Sequence, residues 1–222
     1  MEIRTTFHKR LKEIQNDVLV MGSMVEKAID RSVAALKQRD LKLAEQIIED
    51  DKMINQKRFE IEEACIELIA TQQPMASDLR TIISVLSIIT ELERIGDHGE
   101  GIAKIVLMIG DEPPLKPLID IPRMSEKNIQ MLKRSLEAFI NRSAVAARQI
   151  AAEDDEVDRL YDQVFRELLT FMIEDPKTIT RATRLIWVAH NLERSADRVT
   201  NICERVVFAV TGRMEEIGAS KY

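Results

Sequence analysis

The sequence predicts an all-α protein of two tandem, similar three-helix bundles, six long helices in all, and three observations lead there. Leu, Ile, Ala, Glu, Lys and Arg dominate its 222 residues, while seven glycines, six prolines and 4% aromatics leave little material for sheet. Apolar residues recur on helical spacing, as in Ile47, Ile54, Ile61 and Leu68. The second half of the chain also repeats the pattern of the first.

Breaks in the pattern set the helices at about 4–38, 41–72, 75–109, 124–141, 144–173 and 177–211. The first ends before Asp40, an N-cap residue type that opens the second, and Pro74 divides the second from the third. GDEPPLKPLIDIP, from Gly110 to Pro122, holds four prolines and cannot be helix interior. Ser125, Ser143 and Pro176 then start the fourth, fifth and sixth helices. The resulting units are 1–110, a connection over 111–123, a second unit over 124–213 and a tail over 214–222.

A shift of 103 residues places Ala44, Ile47, Asp51, Ile54, Ile61 and Leu68 on Ala147, Ile150, Asp154, Val157, Val164 and Phe171. Beyond Pro74 and Pro176 the shift becomes 100, and Leu79, Leu86, Glu93 and Leu107 fall on Ile179, Ile186, Glu193 and Val207. Acids are carried along with the apolar positions. Asp51 and Asp154 lie on inward-facing lines, and Glu93 and Glu193 interrupt the apolar lines of their helices, with Asp97 and Asp197 one turn further on.

Each helix rises about 1.5 Å per residue, so residues equidistant from a hairpin turn stand level with each other. Asp51 is level with Glu93 or Asp97 about the Pro74 turn, and Asp154 with Glu193 or Asp197 about the Pro176 turn. Three carboxylates should therefore face one another in each hairpin. Burying unpaired charge costs several kcal/mol, on the order that only a cationic partner offsets. Arg58, Arg80 and Arg184 could serve in a purely structural network, but the duplication favours metal ions. Oxygen ligands suit magnesium, manganese, iron or zinc. His190 shares a face with Glu193 and could join a site, His98 points elsewhere, and Asp30 reads as a solvated acid.

A net charge of −6, with bases interspersed among acids, argues against nucleic acid as a partner. No apolar run approaches the roughly 18 residues of a membrane span, and no secretory leader follows Met1, so a cytoplasmic protein is expected. Cys65 and Cys203, far apart on apolar stripes, read as buried free thiols.

LERIGDHGEGIAK from Leu92 and LERSADRVTNICER from Leu192 resemble the paired acidic signatures of the PhoU family, regulators of phosphate uptake. EDDKMIN around Asp51, ATQQPMASDLR from Ala70 and FAVTGR from Phe208 extend the resemblance over almost the whole chain. The second signature departs from the first in reading SAD and Arg198 where the first reads IGDH. The resemblance implies multinuclear metal sites with Glu93, Asp97, Glu193 and Asp197 as signature ligands and Asp51 and Asp154 as acids from the neighbouring helix. It also implies a homodimeric, non-enzymatic negative regulator acting between a Pst-type phosphate ABC transporter and a sensor histidine kinase. A di-iron carboxylate enzyme is the rival, but its Glu-x-x-His spacing is absent: His190 precedes Glu193. A scaffolding bundle, or an accessory to another ion transporter, is the other alternative.

Overall fold

A computed structural model describes residues 2–217. Met1 and the last five residues of the predicted tail lie outside them. Among the described residues the chain is helical without strands: α1 (Glu2–Gln38), α2 (Leu41–Gln72), α3 (Ser77–Ile109), α4 (Asp120–Ile140), α5 (Ala144–Ala151), α6 (Asp154–Glu174) and α7 (Ile179–Thr211), with a 3-10 turn over Pro176–Thr178.

Two of the expected caps form. Asp40 accepts a hydrogen bond from the Leu43 amide at 2.9 Å, and Ser143 accepts one from Ala146 at 3.2 Å. Ser125 does not cap: α4 begins at Asp120, five residues earlier, and Ser125 is buried inside it. Pro122 falls in the first turn of that helix, where its missing N–H has no intrahelical acceptor to lose.

The expected fifth helix is two. Between α5 and α6 the Glu153 amide bonds back to the Ile150 carbonyl, three residues away, and the helical ladder restarts at Asp154. Glu153, Asp154, Asp155 and Glu156 are four consecutive acids, whereas their counterparts are Asp50, Asp51, Lys52 and Met53 in an unbroken α2. Clustered acids are poor helix interior but are favoured near a helix N-terminus by its dipole, so a restart here is the better solution.

Helices α1, α2 and α3 form one bundle, and α4, α5, α6 and α7 the other. The two share one apolar core, joined mainly through α3 against α7 and secondarily through α1 against α4. The central pair runs antiparallel with approximate two-fold symmetry. His98 Nδ1 lies 3.1 Å from Asn191 Oδ1, while Arg198, the counterpart of His98, reaches Glu91, the counterpart of Asn191, at 3.6 Å. Asn201 also donates to Glu91 at 3.1 Å. His98 thus serves the junction between bundles, away from the acids of its own signature. No helix among the described residues is long and apolar enough to cross a membrane.

Candidate metal centre

In the first bundle Asp51 is only 9% exposed and stands against α3 at Gly96. A Cβ at Gly96 would sit 3.4 Å from Asp51 Oδ1 and 3.2 Å from Ile54 Cδ1, so the glycine inside the signature lets the carboxylate approach between Glu93 and Asp97. Burial pushes the Asp51 carboxyl up to about 6, aided by Asp97, Glu100 and Glu93 and opposed by a 2.9 Å hydrogen bond from Asn55. Burial likewise raises Glu93 and Asp97. Arg58 Nη1 lies 3.6 Å from Glu93 Oε1.

The second bundle brings together Asp154, Glu193 and Asp197 in the same way and adds Asp158. Burial first, then Asp158, Asp197 and Glu193, raise Asp154 to about 7. Glu193 is also raised to about 7, by burial and then by Asp197, with Arg194 opposing. Asp154 Oδ1 and Glu193 Oε2 are buried acceptors without a hydrogen-bond partner. His190 Nδ1 lies 3.4 Å from Glu193 Oε2, and burial lowers its pKa, favouring the neutral imidazole. Arg194 pairs with Asp197 at 2.7 Å.

The lines that carry these acids run along the rim of the bundles and not through their centres. Leu79 is 37% exposed, Ile179 is exposed too, and Asp97 is open to solvent. The acids therefore sit where an ion can reach them. Of the three arginines considered from sequence, only Arg58 meets them: Arg80 lies along Gly212, and Arg184 flanks Met108 and Trp187 in a shallow surface depression. Two of the six acids, Glu93 and Asp197, have a guanidinium within ion-pair distance, so guanidinium pairing does not account for the clusters.

As the side chains stand, no three His, Cys, Asp or Glu groups among the described residues close into a metal-ligand set. Repulsion holds neighbouring carboxylates apart, and a ligand set would require them to turn toward a shared centre. The donor chemistry suits a hard or borderline cation, and the orphaned Asp154 Oδ1 is an acceptor such an ion would satisfy, with Glu193 Oε2, which only the long His190 contact reaches, beside it. Asp158 and Glu100 were missed from sequence. Asp158 could have been found, because it follows Asp154 by four residues as Asp197 follows Glu193. Glu100 has Thr200 as its counterpart and left no repeat signal. Asp30 is exposed, and Cys65 and Cys203 are buried free thiols, each pushed up to about 12 by burial.

The family model described as PhoU domain matches residues 18–106 and 121–206. The phosphate-specific transport system accessory protein PhoU homolog of Clostridium acetobutylicum is 39% identical over 215 residues, covering 96% of this chain and 98% of its own. The accessory protein PhoU of Escherichia coli is 36% identical over 207 residues, covering 93% and 86%. Among solved structures, PhoU from Pseudomonas aeruginosa superposes with a TM-score of 0.88 at 36% identity, covering 93% of this chain and all of that one. The phosphate transport system regulatory protein PhoU from Streptococcus pneumoniae gives 0.87 at 34% identity, covering 94% and 99%.

Proposed function

The chain belongs to the PhoU family, and from that premise we propose that it is a metal-binding negative regulator of phosphate uptake and phosphate-starvation signalling. Its relatives are named as accessory and regulatory proteins of phosphate transport; it is not an enzyme. In this reading it works in the cytoplasm, as a homodimer, docking on a Pst-type ABC transporter and a sensor histidine kinase.

The observation that carries the proposal is the convergence of three acids in each bundle, with Asp154 Oδ1 in the second a buried acceptor that no protein donor satisfies. Asp51, Glu93 and Asp97 would hold a cation in the first bundle, and Asp154, Glu193 and Asp197 in the second. When bound, such an ion supplies positive charge that relieves the repulsion among the carboxylates. The helices then present one fixed surface to a partner. Regulation follows only if that surface binds two states of the transporter or kinase unequally, because a ligand shifts an equilibrium by its differential affinity alone.

The test replaces all six acids by their amides and measures capture of detergent-solubilised transporter, together with repression of a phosphate-starvation reporter. Loss of both, with helix content unchanged, is expected. A folded six-fold variant that docks and represses as the native chain does would overturn the metal-dependent reading.

A further inference from the structure

We infer that the face carrying the two acid sites docks on a two-fold-symmetric protein dimer, acidic at its axis, with each bundle of one chain engaging one subunit of that partner. The inference rests on the docking reading above and specifies the symmetry and chemistry of what is docked.

The face lies opposite α1 and α4. A Cβ at Gly99 would stand 3.3 Å from the Ala28 backbone, so that side of α3 is turned to α1. At about 100° per residue, Asp97 and Gly101, two positions away, point to the other side, and Arg94 continues the same outward stripe. Arg194 holds the corresponding place on α7. The helices α2 and α6 flank this central pair, α2 against α3 and α6 against α7.

Both halves of the face carry the same apolar pair. Ile66 and Leu79, level with each other about the Pro74 turn, are 56% and 37% exposed; their counterparts Leu169 and Ile179 are 41% and 47% exposed. Ile66 follows Arg58 by two four-residue steps along the edge of α2 that meets Glu93. Leu169 follows Tyr161 in the same way along the edge of α6 that meets His190. Single exposed apolar side chains are ordinary, but a set repeated in register beside two acid sites, and used by neither core, marks a contact surface.

The two halves are related by the approximate two-fold axis between α3 and α7, where His98 meets Asn191 and Arg198 meets Glu91. Such a face makes all its contacts twice only against a partner with an axis of its own at the same place. A homodimer is the commonest source of one.

Charge decides between a second copy of this chain and a different protein. Bases gather at the centre of the face: Arg94 and Arg198 share one carboxylate, Glu91, at 3.1 and 3.6 Å, and Arg194 meets Asp197 at 2.7 Å. Arg94 and Arg194 remain 48% and 41% exposed. A two-fold in the plane of the face maps its centre onto itself, so two copies meeting there would set arginine against arginine. A different dimer with acids at its axis answers the same arginines, and the apolar pairs bury on either side.

Photocrosslinking of the full chain tests this. Benzoylphenylalanine replaces Ile66 in one variant and Leu169 in another, and each is irradiated with detergent-solubilised Pst-type transporter. Both should label the same segment of the same transporter subunit, and native mass spectrometry should find one chain per two copies of that subunit. Ile66→Asp and Leu169→Asp should each weaken capture about tenfold with helix content unchanged. Labels on different segments, labelling from one position alone, a second copy of this chain labelled in place of the transporter, one chain per subunit copy, or weakened capture in only one aspartate variant would each overturn the inference and leave docking standing. If the native chain captures no transporter, the docking reading and the inference fail together.

Discussion

On α2, Asp51 is followed two turns later by an arginine; on α6, Asp154 is followed at the same interval by a tyrosine. Around that exchange the scaffold hardly changes. Leu92 and Leu192 are both fully buried, the caps Asp40 and Ser143 occupy matching turns, and Arg31–Asp50 and Arg134–Glu153 are corresponding ion pairs between neighbouring helices. The duplicated pattern thus preserves apolar register more closely than charge compensation. Apolar register is enforced by a shared core, in which every misplaced side chain leaves a void or a clash. Rim carboxylates can be neutralised in several ways, and the two bundles use different ones.

The largest expected effect probes what the bundles share. Leu92→Ala and Leu192→Ala should each cost about 3 kcal/mol in urea unfolding, within roughly 1 kcal/mol of each other. A clearly unequal loss would break the claim of a common scaffold.

The acids should come next and should differ between bundles. A carboxyl whose folded pKa is raised above its unfolded value stabilises the fold below the unfolded pKa, and that stability is lost as pH rises through the folded one. For Asp154 and Glu193, raised to about 7, the loss in chelator should extend from about pH 4 to above pH 7; for Asp51, raised to about 6, it should end sooner. At pH 8 in chelator, Asp154→Asn or Glu193→Gln should therefore stabilise the chain by about 1–2 kcal/mol after solvent screening, and Asp51→Asn by less than about 1. Melting temperatures should rise by roughly 2–8 °C for the second-site variants. A larger gain from Asp51→Asn would reverse the comparison.

The smallest effect returns to the scaffold. Asp40→Ala and Ser143→Ala each remove one cap bond and should cost about 1 kcal/mol by thermal unfolding. A markedly larger loss at Ser143 would show that the short α5 depends on its cap more than the unbroken α2 does.

Most of the fold was legible because the signals were local. Asp40, Ser143, Pro74 and Pro176 punctuate the chain, and a seven-residue apolar period needs no tertiary knowledge to read. The start of α4 was misplaced because four prolines discouraged a helix before Ser125, although Pro122 is tolerated in a first turn. The break before Asp154 was missed because an apolar period continues across it, from Ile150 to Val157. At the site, hairpin arithmetic identified the six acids, and the electrostatic coupling of Asp51 to Asp97 and Glu93, and of Asp154 to Asp197 and Glu193, follows that expectation. Spacing could not reveal how each carboxylate is answered. That depends on side-chain direction: Arg58 turns to Glu93, Arg80 turns away to Gly212, and His98 crosses to the other bundle.

Anomalous X-ray scattering at the manganese edge, from crystals of the full chain grown with limiting manganese, examines the central claim most directly. Peaks should lie among Asp51, Glu93 and Asp97 in the first bundle and among Asp154, Glu193 and Asp197 in the second. No peak at either cluster would contradict the account.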